Sequence, residues 1–217
     1  MAHWPLDELP GATSVAETVQ NLTGIPKPGA VQSLFNPGGP WSVLGHMGKA
    51  FYFPGNGDSY VEVPSTPSLT PARFILTAWV APVQCGMGAY YPVVDKWDPN
   101  TGTGYALYLE GVGPGQVRPV ARLNGATFTG TTTFAANYDP NANTGTWTEV
   151  RLKVDGTLGA FFVNGTPAGT FTAPTGLSNT IPLWMGAMHQ APSGLYYCEI
   201  GLDEVRLDKI PGQWSGQ

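Results

Sequence analysis

Apolar and polar residues alternate along this chain in short bursts separated by Gly and Pro. Residues 74–80 read Phe-Ile-Leu-Thr-Ala-Trp-Val, with Phe74, Leu76, Ala78 and Val80 on one face and Ile75, Thr77 and Trp79 on the other. Both faces are mostly apolar, which predicts a central strand covered on both sides. Further on, Val150, Leu152 and Val154 alternate with Glu149, Arg151 and Lys153. That spacing predicts a half-buried strand with a solvent face. Asp155-Gly156 and Asn164-Gly165 bracket the apolar run 161–163, and such dipeptides favour tight hairpin turns. Phe51 and Phe53, then Tyr60, Val61 and Val63, mark two shorter strands around a Gly turn. Further strands are expected at 91–96, 105–110, 117–123, 126–134, 181–186 and 196–207.

The first 48 residues lack this rhythm. Ser14 and Glu17 have the spacing of a capping box, and Val15, Val19 and Leu22 form an apolar stripe. Together they predict one short helix ending near Gly24. A Pro/Gly-rich excursion follows through Pro40. No internal repeat or linker divides the chain, so one domain is expected in two parts. Residues 1–48 supply a first strand and an irregular arm, and residues 49–217 supply the strand-rich body.

Composition narrows the class. The 217 residues include 29 Gly and 21 Pro, and only 12% are charged. Gly and Pro carry the largest penalties in helix interiors, which opposes a helical bundle. A hydrophobic share of 42% opposes disorder. The expected fold is all-β, a sandwich or barrel. A net charge of −5 argues against a nucleic-acid partner. No apolar run approaches the roughly 20 residues of a membrane-spanning helix. The amino terminus has neither the basic nor the apolar region of a secretory signal. Cys85 and Cys198 are the two cysteines; a disulfide and two buried thiols both remain open.

The ordered landmarks resemble a family. The segments FYFPGNGDSYVEVP, FILTAWVAP, VVDKW with GYALYLE, TWTEVRLKVDG with FFVNG, and IPLWMGA with LDEVRL follow one another. Their order is similar to that of the laminin-G-like jelly roll of the concanavalin A-like lectin/glucanase superfamily, over residues 50–207. The resemblance implies a two-sheet antiparallel sandwich with a ligand groove on one face. It also implies a structural calcium held by Asp7, the Gly55 carbonyl and Asp203, with Asn56 and Asp58 as nearby oxygens. The fold hosts many functions, so the sites must be argued residue by residue.

A retaining glycosidase needs two carboxylates about 5–5.5 Å apart. None of the seven Glu lies in the Glu-x-Asp-x-x-Glu pattern of the glucanase branch, and Glu199 with Asp203 is the nearest approach. Cys85 sits in a Gly-rich loop, with His3, His46 and His189 scattered far from it in sequence. The expectation is therefore a protein that is not an enzyme. Trp97, in a polar Gly-rich stretch, reads as an exposed ring for stacking on sugar. Tyr90, Tyr91 and Tyr196 are further aromatic candidates, and Asp95, Asp98 and Asn100 could bond hydroxyls. Trp79, Trp147 and Trp184 read as core. The expected function is non-catalytic binding, adhesion or structure on a surface. The first expected setting is a virion, as a phage head decoration or tail component, partnered by its own copies or other assembly proteins and by surface glycans. The alternative is a secreted carbohydrate-binding module or a divergent glycoside hydrolase, and either reading places the protein on a virion surface or outside the cell.

Overall fold

The structure, a computed structural model, describes residues 1–9, 12–27, 41–55, 57–190 and 196–211. In chain order the strands begin with β1 (Ala2–Trp4), β2 (Ile25–Lys27), β3 (Trp41–Leu44), β4 (Lys49–Phe53), β5 (Tyr60–Val63) and β6 (Phe74–Pro82). They continue with β7 (Ala89–Asp98), β8 (Thr103–Gly113), β9 (Gln116–Leu123), β10 (Ala126–Thr129) and β11 (Phe134–Ala135). They close with β12 (Thr148–Asp155), β13 (Leu158–Val163), β14 (Thr166–Thr172), β15 (Leu183–Met185), β16 (Tyr196–Tyr197) and β17 (Ile200–Lys209). Among the described residues the sole helix is a 3-10 turn at Pro67–Leu69.

Two sheets result. The first has the order β14-β13-β12-β6-β17-β4-β3, with β1 on β17. The second has the order β10-β9-β8-β7-β15-β5-β2, with β11 on β9 and β16 on β7. Pairing between these strands is antiparallel except for β16, which runs parallel to β7. The chain is thus an all-β, two-sheet sandwich, as the alternation predicts. β12 shows why: Val150, Leu152 and Val154 are buried, while Glu149, Arg151 and Lys153 are half-buried on the outside. The β13–β14 turn places Asn164 at φ 48° and Gly165 at φ 75°, a left-handed pair that Asn-Gly adopts readily. β6 is central, between β12 and β17. Its Ile75, Thr77 and Trp79 face outward and stay half-buried rather than covered.

The core lies between the sheets. Phe53, Phe74, Tyr91, Tyr105 and Phe161 are among its largest buried side chains. Trp4, Leu6 and Val15 join it with no exposed surface, so residues 1–9 and 12–27 are built into the sandwich. The excursion through 28–40 and the last residues, 212–217, lie outside the described residues.

The helix expected at Ser14–Glu17 does not form. Val15 instead bridges Gly24, exchanging backbone bonds of 2.8 and 2.9 Å. Burial opposes charge on Glu17, yet its carboxylate accepts N–H groups of His3, Gln20, Val19 and Leu22 and is held below its ordinary pKa. The capping residue is present, but it caps a loop docked on β1. Cys85 and Cys198 form a disulfide, with Cα atoms 6.4 Å apart, inside the range such bonds require.

Candidate functional site

β7 and β8 lie at the middle of the second sheet, and their outer face carries the site. A bulge between Pro92 and Val94 changes the phase of β7. Tyr91, Val93, Val94 and Lys96 consequently point inward, whereas Tyr90, Asp95 and Trp97 share the outer face. Tyr90 and Trp97 pack there with Tyr108, Val120 and Met188. Met188 and His189 arrive on the segment after β15.

Asp95 anchors that segment. It is fully buried; its Oδ1 accepts the Trp97 N–H at 2.7 Å and its Oδ2 accepts the His189 N–H at 2.7 Å. The Arg122 guanidinium lies over the Trp97 ring, 4.4 Å from its centre, a cation–π contact worth about 1 kcal/mol. Trp184, opposite Asp95 in the sheet, stacks with Tyr60 at 4.1 Å and with His189 at 3.9 Å. Its Nε1 donates to Glu62 at 3.3 Å, and Lys27 pairs with Glu62 at 3.0 Å. Trp97 Nε1 and His189 Nε2 are buried without a hydrogen-bond partner, while His189 Nδ1 lies 3.7 Å from Asp95 Oδ2. Burying such groups unpaired is unfavourable, typically by about 1–3 kcal/mol.

The structure sorts the expected glycan-site residues. Asp95, Trp97 and Tyr90 share one face. Tyr91 belongs to the core, its hydroxyl donating to the Val83 carbonyl at 2.9 Å. Asp98 organises the turn after β7, accepting the Asn100 N–H and the Thr101 hydroxyl, each at 2.9 Å. Those bonds hold its carboxyl below its ordinary pKa, and Asn100 is part of the turn. Tyr196 pairs by its backbone with Ala89; its side chain lies outside the described residues. Two expectations about tryptophans reverse. Trp97 is on a strand and only 8% exposed, because Arg122, Tyr108 and Met188 surround it. Trp79, Trp147 and Trp184 are half-buried on outer faces. Trp79 stacks on His46 at 3.4 Å, and Trp147 lies against Tyr138. Sequence reasoning missed Tyr60, Tyr108, Arg122 and His189. Strand register reveals Arg122, which faces Ala106, which faces Asp95, and His189 is placed by its bond to Asp95 and its stack on Trp184.

The expected calcium residues separate into two places. Asp7 Oδ1 accepts the Lys49 N–H at 2.7 Å, and Asp203 Oδ2 accepts the Met47 N–H at 2.9 Å, so both carboxylates close on the turn 45–49. Asp203 Oδ1 is buried without a partner. Burial pushes this carboxyl up to about 6. Gly55 instead packs against Cys198 and Glu199 at the other end of β4, with Asp58 in the following turn, and Asn56 lies outside the described residues. No three His, Cys, Asp or Glu side chains gather as a metal site among the described residues. Glu199 and Asp203 have separate partners. Glu199 accepts the Tyr52 hydroxyl, while Asp203 is committed to Met47.

The chain belongs to the laminin-G-like family of the concanavalin A-like lectin/glucanases superfamily, whose profile matches residues 55–209. Solved structures of binding domains share the fold. Domain 4 of AbnA, an extracellular GH43 arabinanase from Geobacillus stearothermophilus seen with arabinotriose, superposes with a TM-score of 0.61 at 19% identity, over 96% of this chain and 91% of that one. The binding domain of Paraclostridial mosquitocidal protein 1 gives 0.65 at 13% identity, over 96% of this chain and 48% of that one. Botulinum neurotoxin type C, whose cell entry depends on two ganglioside molecules, gives 0.62 at 11% identity, over 98% and 48%. The chain thus spans about half the length of these toxin chains. No curated protein sequence matches it.

Proposed function

We infer that this protein is a non-catalytic glycan- or receptor-binding module whose ligand lies across the outer face of the second sheet. One observation carries the reading. Trp97 Nε1 and His189 Nε2 are buried without a hydrogen-bond partner on the face that carries the Tyr60–Trp184 stack, and the His189 ring lies on Trp184. Apolar rings with a few convergent polar groups are the usual make-up of a small-ligand site. The arabinotriose bound by the AbnA domain supports a saccharide, and the gangliosides of the neurotoxin support a cell-surface one. The separate commitments of Glu199 and Asp203 support a non-catalytic role.

The test is titration with arabinotriose and ganglioside oligosaccharides, followed by Trp184→Ala and His189→Ala. Binding weakened at least tenfold by either change, with the fold intact, supports the site. Full affinity in both variants sends the ligand elsewhere.

Asp7 and Asp203 are our proposed calcium ligands, on the strength of the unpartnered Asp203 Oδ1. Calcium should then raise the melting temperature of chelator-treated protein, and Asp203→Asn should remove that rise. The disulfide favours an oxidising, extracellular or surface setting. Assembly into a virion is the narrower form of this proposal. It requires co-purification with particles, and a soluble monomer that binds sugar unaided would refute it.

A further inference from the structure

The opposite side of the molecule carries a second groove. The tetrapeptide Glu-Val-Arg-Leu occurs twice, at 149–152 and 204–207, and its two copies lie on β12 and β17. These strands flank β6 on either side and both run antiparallel to it. In each copy Val and Leu enter the core, while Glu and Arg face outward.

Register then builds a clamp. Arg151 stands opposite Thr77 from one side and Arg206 from the other. The second alignment depends on a bulge between Asp203 and Arg206, where Glu204 adopts φ 51°. Continued without the bulge from Asp203 opposite Trp79, the ladder would set Val205 against Thr77 and turn Arg206 inward. A left-handed Glu is uncommon. Bulges re-aim side chains and are enriched beside functional sites.

The resulting groove encloses about 280 Å3 over Thr77, walled by Trp79 and Ile75. Each guanidinium is held by the Glu two residues before it, Arg151 by Glu149 at 2.6 Å and Arg206 by Glu204. Two atoms of lining residues lack hydrogen-bond partners. Arg151 Nε is an unpaired donor and Asp208 Oδ1 an unpaired acceptor, both buried. Two arginines against Glu149, Glu204 and Asp208 leave the lining close to neutral. A simple anion would meet three carboxylates, and a simple cation two guanidiniums. A neutral polyhydroxylated ring matches the set: its hydroxyls both donate and accept, and its apolar side suits Ile75 and the part of Trp79 that lines the groove, one face of that indole being covered by His46. The volume lies at the low end for small-molecule sites, enough for a small ligand.

We propose that the groove over Thr77, between the two Glu-Val-Arg-Leu strands, is a second binding site that takes one neutral sugar residue. It lies on the first sheet and stands independently of the site containing Trp184. The experiment is two-dimensional NMR of the whole chain with arabinose, galactose, glucose and mannose, each at about 10 mM, which reports on millimolar binding. The expected result is a saturable shift of the Trp79 indole and Arg151 Nε–H signals by at least one sugar. The Trp79 shift should be lost in Arg151→Gln/Arg206→Gln, and both shifts should be kept in Trp184→Ala. Unchanged melting of the double variant shows that the fold is intact, and Thr77→Val gives a second, milder probe. The proposal is overturned if no sugar moves these signals, if acetate or sulfate moves them and sugars do not, or if the double variant responds like the parent.

Discussion

Lys96 is wholly buried, with its Nζ donating to Ser65 Oγ at 2.9 Å and to the Ile181 carbonyl. Burial lowers its pKa from 10.5 to about 8. Across that window the unfolded chain holds a proton that the folded chain has released, so stability rises with pH. The full shift corresponds to about 3 kcal/mol. Urea midpoints should therefore climb from about pH 7.5 to about pH 9.5, and Lys96→Met should flatten the rise. An equal slope in both proteins would assign the effect to another group. Above about pH 10 buried tyrosines such as Tyr105, whose pKa burial raises, act in the opposite direction. The motif around Lys96 is legible in the sequence: Gly104 faces Trp97, and a Cβ there would strike the Lys96 carbonyl. Trp97 is not legible in the same way. Its neighbour Arg122 arrives through the register of β9, and although Pro92 marks the bulge in β7, it does not say which side chains the bulge turns outward.

Elements differ in how well the sequence reveals them. β12 announces itself, because one face meets the core and the other meets solvent. The Ser14–Glu17 signal fails because four backbone N–H groups compete for one carboxylate, and docking on β1 wins over local helix propensity. β1 itself is short, yet Trp4 is fully buried and its Nε1 donates to the Leu22 carbonyl at 2.9 Å. Trp4→Ala should cost about 3–5 kcal/mol, read as a lowered urea midpoint. A loss below about 1 kcal/mol would mean that β1 is dispensable to the sandwich.

For the whole molecule, the sandwich and its family followed from the order of strands, whereas the pairing of the cysteines needed three dimensions. Cys85 and Cys198 are 113 residues apart in sequence. Closing so long a loop restricts the unfolded chain, and replacing both cysteines by Ser should lower stability by about 2–4 kcal/mol. Denaturant titration measures this, and an unchanged midpoint would show that the bond contributes nothing.

The same bond governs how the protein would bear a pulling load. β1 lies antiparallel beside β17, with Ala2 opposite Leu207, so opposed tension on these strands unzips them pair by pair. The force then passes from Cys85 directly to Cys198, and the intervening span carries none of it. Trp97, Arg122, Trp184 and His189 all belong to that shielded span, so the part of the second sheet built from β7 to β10 and β15 stays assembled while β2 and β5, which carry Tyr60 and Glu62, are drawn out with the strands beyond the crosslink.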